Sequence, residues 1–238
     1  TARSRGLGDV YKRQVSNLPD GADCLAAAEL CDHFSKILII LRDDVRLSRF
    51  SQSLRIINNN IDIIEFPAWD CLPFDKNSPN QKLVGKRVRA LSSLANPNSK
   101  KTIILSTIGS VIQKIPNQDF IKNSSKSIQS GQNISQRELI NFFENNGYMR
   151  TNTVREDSEY SGRGSILDVY PPGEKHPVRI DFFGDVIDSL RVFDPISQLS
   201  LHNINFISFN AGNEIILTDH SVELFRRNHR ELFNEEYD

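Results

Sequence analysis

The order of apolar segments predicts an α/β chain in two parts: a parallel sheet with alternating helices over 15–117, then a smaller α+β unit over 118–206. Two observations carry this. Runs of strand length rich in β-branched residues (KILIIL, NNNIDIIEFP, KTIILST) alternate with stretches whose apolar residues recur at helical spacing, the pattern of βαβ units. After SQRELINFFENN the pattern changes to short runs separated by Gly- and Pro-containing turns. At 238 residues the chain can form one large or two ordinary domains, each with its own core.

Residues 1–14, TARSRGLGDVYKRQ, are basic and lack apolar periodicity; they read as translated adaptor or linker sequence and are set aside. Asp20 or Asp23 is placed to cap a helix through CLAAAELCDHF, with Leu25, Ala28 and Cys31 or Asp32 at helical spacing. KILIILRDD follows as a buried strand. VRLSRFSQSLRII is a helix with Leu47, Phe50 and Leu54 inward, and NNNIDIIEFP is a strand ending before Pro67. Ser78–Pro79 predicts the next helix start, with Pro at the first helical position. Leu83, Val84, Val88, Leu91 and Leu94 form its apolar stripe, and Lys82, Lys86, Arg87 and Arg89 occupy the remainder. KTIILST is a third strand and IGSVIQKI a short helix. Asn117 to Asn133 is polar and turn-rich, the expected boundary between the two units. Beyond 206 a last helix starts at Asp219, and the chain stops in charged residues with no closing element, which reads as a truncation over 207–238.

Composition narrows the function. Hydrophobic content of 38% and charged content of 25% are those of a soluble globular protein. The 29 basic residues nearly cancel the 30 acidic ones, so any nucleic-acid contact has to be local rather than a property of the whole surface. No apolar run approaches the roughly 20 residues that span a bilayer, so no membrane partner is expected. Cys24, Cys31 and Cys71 are odd in number and lack zinc spacing. Cys24 and Cys31, seven apart on a helix, read as small buried hydrophobes in a reducing, cytoplasmic setting.

Catalytic signals are missing. A P-loop requires GxxxxGK[ST], and no such string occurs; LPDGADCLAAAEL, ahead of the first helix, offers one glycine and no lysine. His33, His176, His202, His220 and His229 are scattered without ligand spacing, and His176 reads as a solvated turn residue. Asp168, Asp181, Asp185 and Asp188 are carboxylates of the kind strands and turns carry routinely, and no acid–base pair stands out. Neither a cofactor, a metal nor a small-molecule substrate is expected for this stretch.

The segment VRIDFFGDVIDSLRVF is more informative. Gly184–Asp185 suits a two-residue type II′ turn. Alternation then places Val178, Ile180 and Phe182 on the core face and Arg179, Asp181 and Phe183 on the other. An exposed aromatic beside an arginine is the composition of a binding hot spot. The competing reading covers both faces, with Phe183 under a helix and Arg179 paired to Asp181 or Asp185. Two further features have two readings each. Lys82, Lys86, Arg87 and Arg89 can track a phosphate backbone or form the solvated side of a helix. Trp69 and Phe74 can stack on bases or anchor their own loop.

FPAWDCLPFDKNSPNQ, GYMRTNTVRE, SGRGSILDVYPPG and PVRIDFFGDVIDSLRVFDP resemble the N-terminal region of the bacterial transcription-repair coupling factors, over essentially everything from Leu18 onward. The RG…LD…PPG string followed by RIDFFGD is similar to a module shared with the excision-repair helicase UvrB, although UvrB carries a P-loop and this chain does not. The resemblance implies a RecA-like domain that has lost its nucleotide site, interrupted by a smaller inserted domain that binds UvrA. By motif, the contacts fall on Arg163 of SGRG, Arg179 and Phe183 of VRIDFF, and Asp185 of the turn. In such factors ATP, magnesium, RNA polymerase and double-stranded DNA belong to other domains, so this stretch is expected to be a non-catalytic recruiting head. The alternative is a fragment of a UvrB-type helicase that binds damaged DNA and ATP.

Overall fold

A computed structural model describes residues 14–19, 21–71, 78–96, 100–216 and 219–233. The first part is three parallel strands with helices on both faces. Strand β1 (Lys36–Leu41) and strand β2 (Asp62–Phe66) flank the central β3 (Thr102–Thr107), with Lys36 and Asp62 both level with Thr102. Helices α1 (Ala22–Leu30) and α2 (Asp44–Ile57) cover one face, where Cys24, Ala27, Cys31, Leu47, Phe50 and Leu54 meet Ile103 and Leu105. Helices α3 (Gln81–Ala95) and α5 (Gln118–Asn123) cover the other face over β2, enclosing Ile64, Phe66, Ala90, Leu91, Ala95 and Ile121. Each Leu, Ile or Phe among them, taken fully from water, contributes about 1.5–3 kcal/mol, and each Ala about 0.8 kcal/mol.

Several expectations need correction here. Helix α1 is capped by Gly21 in the left-handed region with no side-chain cap, and Asp23 pairs instead with Arg46; Asp20 lies outside the described residues. The inner face of α1 is Cys24 and Ala27, while Leu25 points to solvent, because the two cysteines set the phase. Burial raises both thiol pKa values. Strand β1 is an edge strand with only one face covered, and Leu38 and Ile40 on its other face are exposed. Asn80, not Pro79, precedes the first residue of α3, and its carboxamide accepts from Lys82 N. The short helix after β3 is the single turn α4 (Ile108–Val111). The stretch 117–133 is not merely a linker. It contains α5 and the strand β4 (Lys126–Gln129), which pairs antiparallel with β11 (Phe206–Phe209). β4 has one apolar residue, Ile128, and its partner lies far along the chain, so no local pattern marks it.

The second part is a six-stranded sheet in the order β10-β9-β8-β7-β6-β5: β5 (Met149–Arg150), β6 (Glu159–Arg163), β7 (Ile166–Val169), β8 (Val178–Phe183), β9 (Val186–Phe193) and β10 (Ser200–Ile204). All neighbours run antiparallel except β5 and β6. Helix α6 (Gln136–Asn145) starts where Ser135 accepts from Glu138 N, and it packs Leu139 and Phe143 against one sheet face. Phe143 meets Phe209 edge-on at 5.1 Å, tying the β4–β11 pair to the same core. Tyr160 ends in a hydrogen bond to Glu144, and burial together with that carboxylate pushes its pKa up to about 12. Helix α7 (Asp219–Phe233) closes the described chain.

Candidate protein-docking face

The sheet face opposite α6 is only partly open to water, carrying paired charges and the small buried cluster of Val154, Tyr170 and Phe193, and its geometry follows from strand parity. Val178, Ile180 and Phe182 are buried on β8, whereas Arg179 and Asp181 are half-buried on the opposite side. Gly184 has φ +60° and Asp185 does not have positive φ, the pattern of a type II′ turn joining Phe183 to Val186. This hairpin end leaves Phe183 83% exposed. The β6–β7 turn lies beside it, since Phe182 N donates to Ser165 O and Ile166 pairs with Asp181. Arg163, at the end of β6, therefore stands at the same end of the sheet as Phe183 and Asp185, all three exposed. Arg163 Nη2 donates to Asn152 O and to Thr153 Oγ1.

Arg179 lies four residues back along β8, about 13 Å from Phe183 at the usual strand rise. Its Nε and Nη2 donate to the two carboxylate oxygens of Asp168 at 2.7 and 2.8 Å, across the β7–β8 register. The guanidinium also lies over the Phe193 ring at 4.7 Å. Asp168 raises the pKa of Arg179, so the charge is held firmly. Asp181 accepts from Arg191 and Ser189 instead. The competing expectation thus differs in both its parts: Phe183 is open to solvent, and the partner of Arg179 is Asp168. Asp168 is thus more than a routine strand carboxylate, and Arg191 and Phe193 carry no sequence expectation at all. All three share the face of Arg179: Asp168 and Arg191 lie opposite it across the ladders and Phe193 is two residues beyond Arg191, so strand alternation reaches each of them.

Of the four basic residues of α3, Arg87 does not belong to a solvated face. Arg87 is fully buried, ion-paired to Glu214, and its Nη1 donates to Pro67 O at 2.6 Å and Ser110 Oγ at 3.2 Å. It falls at the i+3 position from Val84, inside the apolar stripe, so the helix turns it inward. Arg89 is committed to Gly173 O at 2.8 Å and Glu174 at 3.1 Å. Lys82 and Lys86 remain exposed. Trp69 anchors its loop through Glu214 at 3.3 Å rather than offering a stacking face, and Phe74 lies outside the described residues. His176 is half-buried with Nδ1 lacking a partner, not a solvated turn residue. Among the described residues no group of three or more His, Cys, Asp or Glu could hold a metal ion, and no helix is long and apolar enough to cross a membrane.

Residues 127–214 match the family model of the UvrB interaction domain. The chain is similar to the transcription-repair-coupling factor of Haemophilus influenzae, with 33% identity over 93% of this chain and 19% of the relative. It is also similar to those of Escherichia coli, at 28% over 93% of this chain and 19% of the relative, and Rickettsia prowazekii, at 28% over 85% and 18%. The chain thus spans about a fifth of the length of these curated relatives.

Proposed function

Because the chain is a homologue of the N-terminal part of transcription-repair-coupling factors and carries a UvrB interaction domain, we propose that it is a non-catalytic recruiting module that binds UvrA. The observation that carries this reading is Phe183, an 83% exposed ring at a hairpin tip, with Arg163 and Asp185 at the same end of the sheet. A large ring left in water has no folding role at that position, and a partner pocket would take it from solvent. In this reading Arg163 offers planar donors to a partner carboxylate. Arg179, braced by Asp168 and Phe193, presents a pre-oriented guanidinium edge, and Asp185 answers a basic group.

The proposed layout is a RecA-like domain without a nucleotide site over 15–117, resumed over 207–238, with the docking unit inserted over 118–206. The recruited repair protein would act at a stalled RNA polymerase in the cytoplasm. ATP-driven translocation on double-stranded DNA would belong to the portion of the relatives that this chain does not span.

Phe183→Ala tests the reading. Titration against UvrA is expected to lose about 2 kcal/mol, roughly thirtyfold in Kd, with circular dichroism unchanged. Adding Arg163→Ala is expected to weaken binding further. Undiminished affinity in the double variant would sink the assignment of this face.

A further inference from the structure

The two parts of the molecule meet on one face of α3, and the contact is made of backbone and buried charge rather than loose side-chain packing. At Gly85 a Cβ would lie 2.5 Å from Asp157 Oδ2 and 2.6 Å from Gly173 N, and at Gly173 one would lie 2.8 Å from Gly85 O. The helix and the Pro172–Gly173 turn thus touch main chain to main chain, which only glycine permits. Gly173 N donates to Asp157 at 2.9 Å, and Arg89, one turn on, clamps Gly173 O.

One turn of helix away, the segment 210–216 is fastened on both sides. Toward the six-stranded sheet, Gly212 N donates to Asn146 O at 2.7 Å, Tyr148 Oη to Asn210 O at 2.8 Å and Ser158 Oγ to Gly212 O at 2.7 Å. Toward the parallel-sheet part, Ser92 Oγ bonds Asn210 Oδ1 at 2.7 Å, and Val84 and Val88 enclose Ala211 and Ile216. Arg87 and Glu214 close it, both essentially sealed from solvent, with the guanidinium 4.2 Å from the Phe66 ring and 5.6 Å from that of Trp69.

We propose that residues 210–216 are a latch that holds the docking sheet in one orientation against α3, with Glu214 as its positioning residue, and that opening it frees the sheet while both parts stay folded. Each part has a core of its own, so opening the joint exposes only the small cluster of Val84, Val88, Ala211 and Ile216 and leaves the three larger cores intact. The joint itself is all-or-none: an intermediate opening would leave a buried charge without its partner, which a low-dielectric interior penalises heavily. A contact of this kind has two arrangements rather than a continuum.

The test uses ¹⁵N relaxation and amide exchange on the whole chain, with two variants that damage the joint differently. Glu214→Ala removes the ionic bolt. Gly85→Ala leaves the bolt, favours the helix, and wedges the Gly173 contact apart. The unaltered chain is expected to tumble as one body. In each variant the amides of β7–β9 and β1–β3 are expected to report two separate tensors. Exchange at Gly212 and Gly173 should accelerate about tenfold or more while Ile180 and Leu105 stay within about twofold. A single tensor in either variant overturns the proposal. So does protection lost at Ile180 and Leu105 together with Gly212, because the joint would then be part of one cooperative core.

Discussion

Phe183 and Asp157 illustrate how differently two side chains of one unit answer to their surroundings. Phe183 stands in water, so its truncation is expected to leave stability within about 0.5 kcal/mol while weakening UvrA binding about thirtyfold. Asp157 is buried, and desolvation raises its pKa above the ordinary aspartate range despite the Gly173 amide and Lys82, which pull the other way. A carboxyl whose folded pKa is raised adds stability at pH below its unfolded value, and that contribution is lost as pH rises through the folded value. Asp157→Asn keeps an acceptor for Gly173 N without the charge. It is therefore expected to raise the melting temperature at pH 7, with the gain vanishing below about pH 3.9, where aspartate is protonated in both states. Thermal melts of the two proteins across that range check it. Phe183 was placed correctly by strand alternation alone. Arg87 was not, since counting charges on α3 overlooked that it shares the helical phase of Val84, Val88 and Leu91.

The β8–β9 hairpin depends on Gly184 adopting φ +60°, a region that a side chain populates at a cost. Gly184→Ala is expected to lower stability by about 1 kcal/mol or more, read by chemical denaturation, and to weaken UvrA binding by displacing the neighbouring Phe183. Replacing the side chain of Asp185 alone should do neither to the same degree, because its main-chain oxygen, which accepts from Ile134 N at 2.8 Å, is retained. Elements with strong periodicity, α2, α6 and β8, stand where the sequence puts them, and α3 keeps its apolar stripe but begins two residues later than Pro79. Strand β4 does not announce itself: KSIQ carries a single core residue, and it becomes a strand only because β11 comes back to pair with it. Likewise KILIIL reads as a buried strand, yet β1 lies at the sheet edge with Leu38 and Ile40 uncovered; apolar runs report capacity for burial, not its occurrence.

For the molecule as a whole, the missing P-loop has a direct consequence. A nucleotide binding only the folded state at a thousand times its Kd would add about 4.1 kcal/mol to stability. Millimolar ATP with magnesium is expected to leave the melting temperature of this chain unchanged; a clear rise would revive the UvrB-type alternative. Element order, the lack of a nucleotide-binding string and the two faces of the β8–β9 hairpin are local properties, carried by residues a few positions apart, and they can be read in one dimension. The joint is of another kind. Arg87 and Glu214 are 127 residues apart, and Gly85 meets Gly173 across 88, so no window of sequence contains both partners. Whether a charged side chain is solvated or sealed depends on which distant segment comes to lie over it, and that is settled only when the packed chain brings them together.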